Sequence, residues 1–332
     1  MNHLAHKMNL IIDVPYLQQK NKLIKDTRLS VNIDKDKDMC QLFATTKMPS
    51  KKGETLVNLK CNGVNDRIDT KIDWDINNTR AFNGNIMFSS LFQRNEDNTL
   101  FSNINIHPSK LVFNDTAWTI SPAHIVVNNK DITVSGFDAY RDNQYIKING
   151  KASENPDDEI CLQLLDVNLD YIFETLAINN VAFGGNATGT FYASNLFSKE
   201  PRLSTPGLKV DQLSYNYSVL GNAIIESHWD AEEKGVAINA DISQSNGCKS
   251  YINGAIFPMN DSLDLKFKTQ KINVGFMLPF MSAFAKEVSG YASGNARLWG
   301  KFKTIDMTGD IYAEDLKLKI DFTNTYYTAT DS

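Results

Sequence analysis

The sequence predicts an all-β fold of many antiparallel strands, with one or two short helices at breaks between repeats. Three observations predict it. Apolar and polar residues alternate along segment after segment, as strands with one dry and one wet face require. Asn (35) and Asp (28) are abundant while Gly (18) and Pro (9) are scarce, so turns rest on side chains that bond their own backbone. Apolar spacing of helical period is confined to two short stretches.

Along the chain, the opening MNHLAHKMNLIIDVPYLQQ lacks the unbroken apolar core of a signal peptide, and no run reaches the ~20 apolar residues of a membrane span. Asp34, Asp36 and Asp38 alternate with Lys35 and Lys37, which reads as a solvated hairpin tip. Cys61 falls in phase with Val57 and Leu59 and reads as a small buried hydrophobe. From 68 to 77, Ile68, Thr70, Ile72, Trp74 and Ile76 share one face, and Asp69, Lys71, Asp73, Asp75 and Asn77 share the other. Strands are expected near 82–88, 132–137, 145–150, 187–193, 213–219 and 223–229. Val236, Ile238, Ala240 and Ile242 alternate with Ala237, Asn239 and Asp241. Leu263, Leu265 and Phe267 alternate with Asp264, Lys266 and Lys268, and Leu316, Leu318, Ile320 and Phe322 with Lys317, Lys319 and Asp321. One-sided strands of this kind are antiparallel and wet on one face.

The best helical pattern runs from 276 to 287, where Phe276, Phe280 and Phe284 recur every four residues beside Met277 and Met281, with Pro279 tolerable only in an early turn. A shorter candidate is 169–176. Both read as caps or plugs on a sheet. An internal repeat with an offset near 105 residues aligns VNLDYIFETL (167–176) with INVGFMLPFM (272–281), and GNATG (185–189) with GYASG (290–294). Upstream, ING at 148–150 matches ING at 252–254. With no Pro-rich or Ser-rich linker between blocks, 1–332 is expected to be one continuous β segment with approximate repeats 62–166, 167–271 and an incomplete 272–332.

Chemistry-bearing motifs are not found. The histidines (3, 6, 107, 124, 228) form no ligand pattern, and His228, opposite the apolar parity of Ala223, Ile225 and Trp229, is expected to be exposed. There is no nucleophile elbow, dinucleotide fingerprint or phosphate loop. The four cysteines have neither zinc nor dense disulfide spacing. The expectation is a non-enzyme without metal or cofactor. A net charge of −5 with no basic cluster argues against nucleic acid.

The segments 154–176 (ENPDDEICLQLLDVNLDYIFETL), 220–243 (LGNAIIESHWDAEEKGVAINADIS), 289–332 and, toward the N-terminus, 49–74 resemble the long periplasmic region of TamB proteins in their bacteroidete form. TamB belongs with the AsmA-like proteins. The resemblance implies an elongated β-groove of U-shaped section with an apolar interior, a periplasmic setting in the cell envelope, and a role in moving phospholipid between inner and outer membranes. It also implies a part in outer-membrane protein assembly with an Omp85-class partner. A membrane anchor and a C-terminal signature domain are not recognisable, so the chain is expected to be a middle fragment that meets both membranes through regions absent from it. On this reading Ile68, Ile72, Trp74, Ile76, Val236, Ile238, Ile242, Leu263, Leu265, Phe267, Leu316, Leu318, Ile320 and Phe322 line the lipid groove, and Phe276, Phe280, Met281 and Phe284 form the helical plug. The alternatives are a scaffold or chaperone for outer-membrane proteins, and a β-sandwich binding module whose two sheets bury the same faces against each other.

Overall fold

The computed structural model describes residues 6–19, 22–50, 53–76, 82–113, 116–169, 183–198, 200–301 and 304–329. The chain divides into two compact units, Met1–Glu154 and Asn155–Ser332. The first contains β1 (Lys7–Gln19), β2 (Lys22–Asp34), β3 (Met39–Ser50), β4 (Gly53–Val64), β5 (Arg67–Ile76) and β6 (Phe82–Arg94). It continues through β7 (Leu100–Ile106), β8 (Ser109–Phe113), β9 (Thr116–Ile120), β10 (Ala123–Asn128), β11 (Asp131–Arg141) and β12 (Gln144–Ala152). The second contains β13 (Glu159–Asn168), β14 (Phe183–Ser194), β15 (Arg202–Tyr215), β16 (Ser218–Asp230) and β17 (Gly235–Ser243). It ends with β18 (Lys249–Phe257), β19 (Ser262–Asn273), β20 (Ala285–Lys301), β21 (Thr304–Ile320) and β22 (Thr325–Ala329). The all-β, antiparallel class read from the alternation is the class the chain adopts.

Each unit is a meander in which strands pair with their sequence neighbours, apart from two breaks in the first unit. In the first, β1 to β6 pair in order, and β6 then meets β7 along one half and β8 along the other. Together β7 and β8 form one strand interrupted at Pro108, and β9 and β10 form the next, interrupted at Pro122. Proline has no N–H to give a ladder, so the ladder breaks there. At the first break the Ser109 hydroxyl accepts the Met87 N–H (3.1 Å). In the second unit β13 to β22 pair in unbroken order.

The helical expectation for 276–287 is corrected. A 3-10 turn (Val274–Met277) leads into one helical turn (Leu278–Met281), and Ala285 already starts β20, paired with Ile320. The ladder with β21 claims the backbone groups that a longer helix would need. The Asn273 side chain caps the 3-10 turn by accepting the Gly275 N–H (2.8 Å). Of the shorter candidate, 170–176 lies outside the described residues. The strand expected at 213–219 is also corrected: Asn216 and Tyr217 form the turn between β15 and β16, both with positive φ (48° and 65°). Asp34 to Asp38 occupy the β2–β3 tip as expected, with Asp34 itself buried and its carboxylate accepting the Asp36 N–H.

The sheet of the second unit bends sharply. In a flat sheet next-but-one strands lie about 9.6 Å apart and strands with two between them about 14.4 Å, yet β15 approaches β17, and β16 approaches β19, with Cα atoms within 8 Å. The apolar residues at this bend, Val210, Ala223 and Ile242, are almost fully buried.

Candidate apolar face

Register carries the apolar set across β1–β6 in the first unit and β16–β20 in the second. In the first unit Ile12 pairs with Leu29, Leu29 with Ala44, Ala44 with Leu59, Leu59 with Ile72, and Ile72 with Ile86. In the second, Ile225 pairs with Ala240, Ala240 with Ile252, Ile252 with Phe267, and Phe267 with Ala296. Directly opposed residues point to the same side of a sheet, so each chain of pairs is one apolar lane running across the strands.

Several strands keep to this face only because their backbone corrects the parity, β2 among them through a bulge at Asp26 (φ 49°), and five more do so in the same way. In β11 the inward set passes from Ile132 and Val134 to Phe137 and Ala139, and in β13 from Leu162 and Leu164 to Val167. In β15 it passes from Leu208 and Val210 to Leu213, in β19 from Leu265 and Phe267 to Ile272, and in β21 from Ile311 and Ala313 to Leu316 and Leu318. One extra residue is inserted each time, and it takes a left-handed conformation: Gly136, Asp166, Gln212, Lys271 and Asp315 (φ 70°, 51°, 50°, 49° and 50°). A bulge of this kind shifts the face by one residue. Four of the five bulged N–H groups donate to a side chain on the next strand. The acceptors are Asn149 Oδ1 (2.6 Å), Thr188 Oγ1 (2.9 Å), Asn222 Oδ1 (2.9 Å) and Ser293 Oγ (2.9 Å).

These clasps account for the GNATG and GYASG match. Asn149, Thr188 and Ser293 are the residues before the final glycines of ING, GNATG and GYASG. Asp166 and Lys271 are 105 residues apart, as are Thr188 and Ser293. The matched glycines also share their backbone: Gly185 and Gly290 (φ 121° and 124°), Gly189 and Gly294 (154° and 144°), and Gly150 and Gly254 (120° and 145°).

The expected lining residues fall as follows. Ile68, Ile72, Trp74 and Ile76 are half-buried on the apolar side of β5. Val236 and Ile242 are buried and Ile238 half-buried on β17, and Leu263, Leu265 and Phe267 are half-buried on β19. Leu316, Leu318 and Ile320 are half-buried on β21. Phe322 is a correction: the chain leaves the strand at Ile320, and Phe322 sits in the following turn, 99% exposed. Of the plug residues, Phe276 lies over Tyr215 (ring centroids 6.1 Å apart), Met281 is half-buried, and Phe284 is largely exposed. The side chain of Phe280 lies outside the described residues. Beneath the turn, Ile272, Val274 and Ala292 form a buried cluster with Leu220, Val288 and Leu316 around it.

Sequence reasoning did not single out the ends of the lanes, where the apolar side is most open. On β1, Met8, Leu10 and Ile12 are 46%, 42% and 40% exposed, and on β21 Met307 and Ile311 are 54% and 48% exposed. The alternation in KMNLII, broken by Ile11 on the other face, was the available signal.

The opposite side is polar and pairs with itself. Arg297 grips Asp264 with both nitrogens (2.8 and 2.6 Å), and this hydrogen bonding holds the Asp264 carboxyl below its ordinary pKa. Lys271 reaches Glu314 (2.7 Å), and Glu314 also accepts from the Ser293 hydroxyl (3.2 Å). Burial pushes the Cys161 thiol up, and the four cysteines are free. Among the described residues, no group of three or more His, Cys, Asp or Glu side chains is arranged to hold a metal ion, and no helix is long and apolar enough to cross a membrane. Comparison with protein-family models, curated proteins and solved structures finds no match to this chain. The class of protein is therefore defined by its architecture: a repeating antiparallel β protein with an apolar lane across β1–β6 of the first unit and β16–β20 of the second.

Proposed function

We propose that the chain is a non-enzymatic lipid-transfer conduit of the TamB/AsmA-like kind, working in the periplasm, whose apolar faces shield phospholipid acyl chains between inner and outer membranes. The observation that carries this reading is the parity correction. Non-glycine residues are held left-handed at Asp166, Gln212, Lys271 and Asp315, which keeps the apolar residues beyond each bulge on the same side of their strand as those before it. A local core would tolerate a polar gap between strands, whereas a sliding acyl chain would not.

The energetics fit transport. Exposing a sixteen-carbon chain to water costs roughly 13 kcal/mol at ~0.8 kcal/mol per CH₂. A dry lane removes most of that barrier, and because bilayer and lane are similarly apolar, the lipid gains little by stopping. Such a task requires no catalytic group. A second reading, a scaffold that helps outer-membrane proteins assemble with an Omp85-class partner, is favoured by one feature. β22 covers only Leu316–Ile320 of β21, so among the described residues Thr304–Glu314 presents a strand edge without a ladder partner, open to an added strand.

Native mass spectrometry of the purified chain tests the first reading, with bound phospholipid the expected result. Photocrosslinkers at Leu318 should capture acyl chains, and the same probe at neighbouring Lys319 should not. Lipid-free protein, or equal capture at both positions, would overturn the conduit.

A further inference from the structure

We propose that one end of the second unit's sheet is a membrane-interface fringe, seating the strand ends against the headgroup region of a phospholipid bilayer. In a meander, alternate turns lie at the same end of the sheet. The β15–β16, β17–β18 and β21–β22 turns and the β19–β20 connection therefore share an end, which the start of β14 also reaches.

Apart from the polar β17–β18 turn (244–248), this end is aromatic. Tyr217 and Phe322 are 98% and 99% exposed at the tips of their turns, and Phe284 is 48% exposed between them. The tips form a connected ridge. The Phe183 ring touches Tyr215 (4.8 Å between centroids), the Asn216 side chain donates to the Phe276 carbonyl (3.1 Å), and the Asp321 N–H donates to the Phe284 carbonyl (2.9 Å). Tyr217 also carries strain, because its left-handed φ is a position where a two-residue turn normally places glycine or asparagine. An aromatic held there, wholly in water, contributes nothing to the fold that glycine would not.

The charges beside the ridge cancel internally: Lys286 pairs with Asp321, and Lys319 with Glu287, which also accepts from the Tyr326 hydroxyl. The opposite end differs. Among the described residues its turns carry Glu232, Glu233 and Asp261 beside a Lys234–Glu200 pair, and Phe197 and Met259 are the exposed apolar side chains at their tips. Separate projecting rings with self-neutralised charges suit a bilayer interface, which takes rings side by side without matching pockets. A protein partner would need a surface of complementary sockets. The driving force is apolar, so salt should not abolish it.

The fringe is independent of lipid carriage along the apolar face. Co-sedimentation of the full chain with phosphatidylcholine vesicles should show binding that survives molar salt. Tyr217→Gly should weaken it about tenfold without lowering thermal stability, since glycine suits the turn, and Phe322→Ser should do the same. Phe197→Ser and Met259→Ser should leave binding unchanged. Tyr217→Trp should blue-shift its emission when vesicles are added. Absence of vesicle binding, its loss in salt, or its indifference to Tyr217→Gly and Phe322→Ser would overturn the fringe. Lipid occupancy without vesicles is read separately by mass spectrometry, so either proposal can fail alone.

Discussion

Asp166, Gln212, Lys271 and Asp315 hold a backbone region that costs an L-residue on the order of 1 kcal/mol. For the first two and Lys271 the acceptor on the next strand offsets part of this, because the bulged N–H would otherwise face a gap in the ladder. The glycines opposite are equally constrained. At Gly290 (φ 124°) an added Cβ would come within 2.7 Å of the Asp315 carbonyl oxygen, while at Gly207 it would meet open space. Gly290→Ala should therefore destabilise the chain by roughly 1–3 kcal/mol in urea titration, and Gly207→Ala should leave the midpoint nearly unchanged. The Asp264–Arg297 pair gives a pH signature. Its carboxyl pKa is lowered on folding, so its stabilisation is present above the ordinary value of 3.8 and fades as pH falls through the lower folded value. Because both side chains are partly exposed, Asp264→Asn should cost under about 1 kcal/mol at pH 7. Thermal melts of the two proteins should converge in strong acid.

At the level of the strand, a bulge changes what every later residue faces. Deleting Lys271 alone would remove only the extra residue and keep Ile272 on the apolar side, whereas deleting Gln270 with it would place Ile272 directly after Thr269 and turn this buried side chain toward the polar side, away from Val274 and Ala292. For the double deletion a loss of about 2–4 kcal/mol is expected, read by chemical denaturation, whereas deleting a turn residue such as Asn246 should cost much less. The two misread elements have related causes. Phe276, Phe280 and Phe284 have helical spacing, yet long-range pairing of Ala285 with Ile320 wins over local periodicity. The run from Leu213 to Val219 reads as a strand because its turn residues, Asn216 and Tyr217, include no glycine or proline.

Over each unit as a whole, the apolar lanes are the feature on which transport would depend. Ile72→Asp in the first unit and Phe267→Asp in the second should each reduce co-purifying phospholipid, while Lys71→Glu and Lys268→Glu, on the polar side of the same strands, should not. Lipid extraction and quantification of the four proteins, each checked for folding by circular dichroism, measures this. Equal effects from both sets would remove the link between the face and lipid.

Alternation by itself determined the class, the antiparallel pairing and the face on which Ile72, Ile238, Phe267 and Leu318 stand, because a strand's side-chain period of two is a local property. The glycine blocks marked the repeat for a reason that the coordinates supply: Thr188 and Ser293, just before those glycines, accept the N–H groups of the bulges at Asp166 and Lys271. Only the tertiary structure decided that parity is corrected within strands, that Phe322 leaves the sheet for a turn, and that Tyr217, Phe284 and Phe322 gather at one end. Each of these depends on which distant strand supplies a hydrogen-bond partner, and spacing along a single chain does not encode that choice.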